Sequence, residues 1–255
     1  MSIDKRYRRG KSAVLQWIGV EPPKEAMQAA NGEFLLLRYF LEAAPPKDHD
    51  SIIDVGAARG DWSAEALHIF RDKISSFAAI EPMPDNANAV RQRFAREQTM
   101  VVHECSLADR DAPAITMYNV AGGGRISAPR SGRKPVSAVT VPVATGDSLF
   151  AGARPYLIKI DCEGYDAKVL RGFEKTLQTA RPLLQFEYCD MWMNHDSRLQ
   201  DTTRQLEDAR YNMYRLWPDG IVGFRFSKFY ETYHYQNIVA VPVERNLPRG
   251  EIRFV

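Results

Sequence analysis

Short, nearly continuous apolar runs alternate along this chain with longer stretches whose apolar positions recur every three or four residues. Ser51–Val55, Ser76–Ile80, Met100–Cys105, Tyr156–Ile160 and Leu183–Glu187 are runs of the first kind. They read as strands covered on both faces, which need no polar alternation. Trp62–Phe70, Pro84–Arg96, Tyr165–Leu177 and Leu199–Arg210 are of the second kind and predict helices. Strand and helix in alternation predict parallel βαβ units, hence an α/β fold.

The flanks differ from this core. Glu25–Ala44 carries Phe34, Leu37 and Leu41 at helical spacing and stops at Pro45-Pro46. Ala13–Val20 predicts a shorter amphipathic segment. Met213–Trp217 and Ile221–Phe226 surround Asp219-Gly220 and predict a hairpin, with Asn237–Val243 as a final strand. Ile115–Val120 and Val139–Val143 read as extended, and the glycine-rich stretch between them as a loop, either a surface loop or a lid. No repeat divides the chain. The expectation is one domain over 1–255, with a helical extension over 1–45 and a core over 50–243.

Composition narrows the class. With 255 residues, 45% hydrophobic and 26% charged, the chain can bury a full core. A net charge of +2 selects no partner, although basic residues cluster at 5–11 and 125–134. Cys105, Cys162 and Cys189 are widely spaced and odd in number, which fits a reducing compartment rather than a disulfide framework. A charged start without an apolar leader, and no run long enough to span a bilayer, point to the cytoplasm and to no membrane partner.

Ligands of open α/β sheets bind beyond the carboxyl ends of the strands, so the residues there carry the candidate chemistry. The first strand ends in Asp54 and leads through Gly56 and Gly60 into a helix, a turn that can approach a ligand closely. Glu81 ends the second strand, where a carboxylate can accept both hydroxyls of a ribose. Cys105, Ser106, Leu107 and Asp109 follow the third and are placed to flank an adenine. Asp161 and Glu163 follow the fourth, with Lys159 inside that strand, and Glu187 follows the fifth. Like charges gathered on one rim raise one another's pKa, which is how a general base or a cation site is made. A nicotinamide dehydrogenase would carry a fuller glycine motif than Gly56 and Gly60, and Tyr165 precedes Lys168 by the wrong spacing for a short-chain enzyme. An S-adenosylmethionine-dependent methyltransferase fits the adenosine clamp and the closing hairpin better.

The run Asp54-Val-Gly-Ala-Ala-Arg-Gly60, the pair Glu81-Pro82, and Leu157-Ile-Lys-Ile-Asp161-Cys-Glu163-Gly164 with Val169-Leu-Arg-Gly172 resemble the FkbM-type methyltransferases. Arg181-Pro182 ahead of Glu187, and Asn237-Ile-Val-Ala-Val-Pro242, match as well. The resemblance spans about 50–243. It implies a class I, Rossmann-like sandwich on a seven-stranded, mostly parallel sheet whose last strand is antiparallel. It further implies S-adenosyl-L-methionine as cofactor and methyl transfer to a hydroxyl of a sugar, glycoside or polyketide-type metabolite. Cofactor contacts then fall to Asp54, Gly56, Ala57, Ala58, Gly60, Glu81, Pro82, Ser106, Leu107 and Asp161. Two positions depart from the pattern: Ala58 stands where asparagine is usual, and Asp166 is shorter than the acid often found there.

Methyl transfer is an in-line displacement governed by orientation, helped by a base on the acceptor oxygen. The candidates for that base are Asp161, Glu163, Glu187 and, on a polar loop, His195. Asp161 and Glu187 could alternatively hold a divalent cation through oxygen. An RNA methyltransferase is the rival reading, resting on the basic clusters. It lacks an Asn/Asp-Pro-Pro-aromatic segment and a nucleophilic cysteine after proline, so nucleic acid is the less expected partner. A non-catalytic interaction module is the other rival, supported only by Ala58.

Overall fold

The computed structural model describes residues 31–120, 123–125, 137–248 and 250–254. The Ala13–Val20 segment, the basic cluster at 5–11 and most of the one at 125–134 lie outside them. Helix α1 (Glu33–Ala43) precedes β1 (Ser51–Val55), α2 (Asp61–Phe70), β2 (Ser76–Ile80), α3 (Pro84–Arg93) and β3 (Met100–His103). Next come β4 (Ser106–Leu107), β5 (Ala112–Val120), β6 (Gly123–Arg125), β7 (Ser137–Ala144) and the short α4 (Gly146–Leu149). The second half holds β8 (Pro155–Ile160), α5 (Asp166–Gly172), α6 (Glu174–Thr179), β9 (Leu183–Tyr188), α7 (Leu199–Asp208), β10 (Tyr211–Trp217), β11 (Gly220–Phe224), β12 (Gln236–Pro242) and β13 (Glu251–Arg253).

The main sheet has the order β13-β11-β10-β12-β9-β8-β1-β2-β3. Its seven strands from β10 to β3 are the expected class I arrangement. All of them run parallel except β12, which is antiparallel to both β9 and β10. Two further strands, β11 and β13, extend the hairpin edge, so the sheet holds nine strands and Asn237–Val243 is not the last. Strand order reverses between β1 and β8, and the crevice outside that point is where a ligand belongs.

Successive residues of the central strands point to opposite faces, and both faces are covered. Ile53, Val55, Ile158, Ile160 and Leu184 pack with Leu170, Phe173, Leu177 and Leu206 of α5, α6 and α7. Ile52, Leu157, Leu183 and Val239 pack on the other side with Phe40 of α1, Trp62, Leu67 and Phe70 of α2 and Val90 of α3. That explains the near-continuous apolar runs. It also explains why α1 buries Glu33, Leu36, Leu37 and Phe40 rather than a stripe through Phe34 and Leu41, which pack only partly against this cluster: Glu33 is drawn inward by polar partners described below.

Two further expectations are corrected by the structure. The single helix over Tyr165–Leu177 is two, broken at Phe173, whose ring fills the core. The stretch after Ile115 is sheet for longer than composition implies: β5 pairs antiparallel with β7 and with β6, so Gly123–Arg125 is strand. With β4 these strands form a separate four-stranded sheet, order β4-β7-β5-β6. No described helix is long and apolar enough to cross a membrane.

Candidate active site

The turn after β1 forms the base of a cleft enclosing about 880 Å³, mouth included. The N–H groups of Gly56 and Ala57 both donate to the Ile80 carbonyl, at 2.9 and 3.1 Å, which ties the turn to the end of β2. The next N–H, that of Ala58, donates to Glu81 Oε2 at 2.8 Å. Glu81 Oε1 accepts from the Met83 N–H at 2.9 Å. One carboxylate thus braces both loops, and it lines the cleft. Burial pushes the Glu81 carboxyl up to about 7, against the two backbone donors that favour its charged form.

Ala58 adopts φ 49°, the left-handed region. Asparagine tolerates that conformation better than alanine, which gives a physical reason for the asparagine usual in this turn. Ala58→Asn is expected to stabilise the chain by about 0.5–1 kcal/mol, a rise of about 1–4 °C in Tm for a protein of this size. An unchanged or lower Tm by calorimetry would count against strain at this position.

The remaining walls come from other strand ends. Pro82 and Asn86 lie beside Glu81; Cys105, Ser106 and Leu107 line the next side. Met117 of β5 also lines the cleft, and it is buried with Met83 and Val141, so the second sheet supplies an apolar wall. Asp161, Cys162, Glu163 and Tyr165 form the rim after β8, with Lys159 and Trp62 behind them.

Of the residues expected at a cofactor, Gly56, Ala57, Ala58, Glu81, Pro82, Ser106, Leu107 and Asp161 line this cleft. Asp54 and Gly60 are not among its lining residues. Gly60 is the N-cap of α2 with φ 81°, and a Cβ there would meet the Phe94 ring at 2.7 Å, so it serves the turn. Asp54 is fully buried. Strand alternation turns its side chain below the turn, where Oδ2 accepts from the Ser63 hydroxyl at 2.6 Å and Oδ1 lies 3.6 Å from Lys159 Nζ. Asp109, expected beside an adenine, instead lies 3.6 Å from Arg171.

The expected acids divide similarly. Asp161 and Glu163 line the cleft; Glu187 and His195 do not. Glu187 is nonetheless held well above the usual carboxylate range, first by burial and then by the charges of Asp161, Asp166 and Glu163. Asp166 is buried at the start of α5, accepting from the N–H groups of Cys162 at 3.3 Å and Gly164 at 3.2 Å. Burial, with Asp161 adding to it, pushes Asp166 up to about 8. His195 sets its ring edge-on to Tyr165 at 5.0 Å, and burial lowers its pKa. Among the described residues no three His, Cys, Asp or Glu side chains gather as a metal site; Asp161 is instead paired with Lys159 Nζ at 3.2 Å.

Several site residues escaped the sequence reading. Trp62, Asn86, Met117 and Tyr165 line the cleft without any motif to announce them. Glu33 of α1 is buried and accepts from Asn31 at 2.6 Å and from Asn237 at 3.0 Å. Tyr235 accepts from Asn237 at 3.2 Å, and its phenol is raised by burial and by the charges of Glu187, Glu33 and Asp161. Asn237 and Glu187 are register partners across β12 and β9, so these groups meet at one strand end. Asn237, second in β12, meets Glu187 only through that register, which no local pattern announces.

The family model for the methyltransferase FkbM domain matches residues 54–213, from the end of β1 into β10. The chain belongs to the FkbM methyltransferase family. No curated protein matches it. Among solved structures it is similar to a methyltransferase FkbM from Methylobacillus flagellatus KT, with 18% identity and a TM-score of 0.50 over 81% of this chain. The chain spans 47% of the length of that protein. It is also similar to a precorrin-6y C5,15-methyltransferase from Geobacter metallireducens GS-15 (13% identity, TM-score 0.45, 81% of this chain and 88% of that one). A third, an rRNA methylase from Streptococcus thermophilus, shares 10% identity, with TM-score 0.45 over 88% of this chain and 98% of that one. The FkbM family implies S-adenosylmethionine as methyl donor, and the donor set fits it. The cleft combines a buried carboxylate at Glu81, an apolar wall at Leu107 and Met117, and acids at Asp161 and Glu163, a set able to meet hydroxyls, an aromatic base and a cation.

Proposed function

We propose that this FkbM methyltransferase moves a methyl group from S-adenosylmethionine to a hydroxyl oxygen of a small molecule or sugar. When bound, the cofactor supplies an electrophilic methyl on a sulfonium. Glu81, with the Ala58 and Met83 N–H groups holding it, binds the ribose end; Leu107 and Met117 flank the base; Asp161 serves the charged end. Glu187 takes the acceptor proton. The observation that carries this reading is the pair of acids Asp161 and Glu163 lining the cleft with Glu187 buried behind them, where burial first, and then the charges of Asp161, Asp166 and Glu163, hold its carboxyl well above the usual range. A base of raised pKa removes an alcohol proton more effectively than an ordinary carboxylate. Asp161, ion-paired to Lys159, suits orientation better than proton transfer. Tyr235 and Asn237 add hydroxyl- and amide-type partners at the same strand end, suited to a polyhydroxylated acceptor. An acid-rich rim also opposes a phosphate backbone, which favours this acceptor class over RNA.

Incubation with labelled S-adenosylmethionine and a panel of glycosides, polyketide alcohols and RNA tests the acceptor class; label transferred to RNA alone would overturn it. With an acceptor in hand, Glu187→Gln is expected to lower kcat by about 10²–10⁴ and to leave the cofactor Kd unchanged. Full turnover by that variant would remove Glu187 from the chemistry.

A further inference from the structure

Lys159 is the fifth of the six residues of the otherwise apolar β8, and its side chain is buried. Its register neighbours are Asp54 on β1 and Gln185 on β9, so the three polar side chains form a row beneath the glycine turn. Nζ lies 3.6 Å from Asp54 Oδ1 and 3.2 Å from Asp161 Oδ2. It sits 5.8 Å from the centre of the Trp62 ring and feels the charge of Glu33 from α1. Asp54 is itself anchored by the Ser63 hydroxyl. A chain of contacts thus runs from the first turn of α2 through Asp54 and Lys159 to Asp161. The two ends of that chain differ. Asp54 is sealed off, whereas 37% of the Asp161 side chain remains exposed, on the cleft.

We infer that Lys159 is a positioning residue: its buried ammonium holds one oxygen of Asp161 so that the carboxylate stays aimed into the cofactor cleft. The inference rests on the proposed cofactor reading. Flanked by acids, Lys159 stays protonated, with its pKa raised by Asp161, Asp54 and Glu33 against the effect of burial. It therefore cannot act as a base, and its work is done through Asp161. The charge of Asp161 also reaches Glu33 from α1, Asp166 from α5, Glu187 from β9 and the Tyr235 phenol ahead of β12.

The test is calorimetric binding of S-adenosylhomocysteine at pH 7, with circular dichroism to confirm folding. Lys159→Met is expected to weaken binding at least tenfold at pH 7, because Asp161 loses the partner that aims it. Removing Lys159 alone orphans the buried Asp54, so Asp54→Asn/Lys159→Met, compared with Asp54→Asn, is the second arm. In an Asp54→Asn/Asp161→Asn background the Lys159 substitution should have no further effect on Kd, because both of its ion-pair partners are gone. Additive losses, or a folded Lys159→Met protein with wild-type affinity, would overturn the inference. So would failure of both Lys159 variants to fold, since Lys159 would then be serving the fold. A wild-type protein that binds no S-adenosylhomocysteine would instead sink the cofactor reading itself.

Discussion

Glu81→Ala is expected to weaken S-adenosylmethionine binding by about 100-fold or more, because two hydrogen bonds to a charged acceptor contribute about 1.5–3 kcal/mol each. The loss is compounded locally. Glu81 is the acceptor for the Ala58 and Met83 N–H groups, so both loops flanking the cleft lose their shared brace. Binding should also depend on pH through this residue. Its carboxyl is pushed up to about 7, and the ionised form is the better partner for hydroxyl donors. Affinity should therefore fall by up to about tenfold per pH unit as pH drops below 7. Calorimetric titrations of wild type and Glu81→Ala across pH 5.5–8.5 check both statements. Tight binding indifferent to Glu81 would remove the ribose assignment.

The raised pKa of Glu81 also bears on stability, with a sign opposite to that of an ordinary salt-bridged carboxylate. The folded pKa lies above the unfolded one, so the native state binds the proton more tightly. This contribution is present below the unfolded pKa and is lost as pH rises towards 7, at about 1.4 kcal/mol for each pH unit between the unfolded and folded values. Urea melts at pH 5 and pH 8 should show wild type losing up to about 3 kcal/mol relative to Glu81→Gln over that interval. A cleft that must present a buried carboxylate to its ligand thus carries a destabilised group in its empty state.

Some of this was legible in the residues, and the limits have physical causes. Ile52-Ile53, Leu157-Ile158 and Leu183-Leu184 announce strands covered on both faces, and the structure packs each pair into opposite cores. Glu81 could be placed because the end of a second strand after a glycine turn has a narrow geometric meaning. Asp54 misled for a related reason: it adjoins the turn in sequence, but alternation points its side chain under it. Recognising Asp54 and Lys159 as a pair required knowing that β1 and β8 are neighbours in register, a non-local fact. Glu33 needed more still, since an acid on an amphipathic helix ordinarily faces water, and its partners Asn31, Asn237 and the Lys159 charge come together only in the fold. The second sheet was hidden because β4 is too short to show a period and pairs with the distant β7.

Gly56→Ala is expected to be the most damaging single methyl that can be added to the site. Gly56 has φ +82°, and a Cβ there would stand 1.9 Å from the Asp161 carbonyl oxygen. That contact is backbone on both sides, so no side chain can swing away. The Asp161 N–H already donates to the Val55 carbonyl at 2.9 Å, which locks β8 to β1 at this point. Relief therefore requires the strand ends to part at the switch point, carrying Asp161 away from Ala58 and Glu81. The left-handed dihedral costs about 1–2 kcal/mol and the overpacking about 1–3 kcal/mol more. Together they imply a fall in Tm of roughly 4–20 °C. Gly152 separates the two effects: it has φ +80° but nothing within 4 Å of a built Cβ. Gly152→Ala should show only the dihedral cost and keep full affinity for S-adenosylhomocysteine, while Gly56→Ala should lose at least tenfold in Kd. Equal effects of the two substitutions on melting and on binding would mean that the contact between the two strand ends does not shape the cleft.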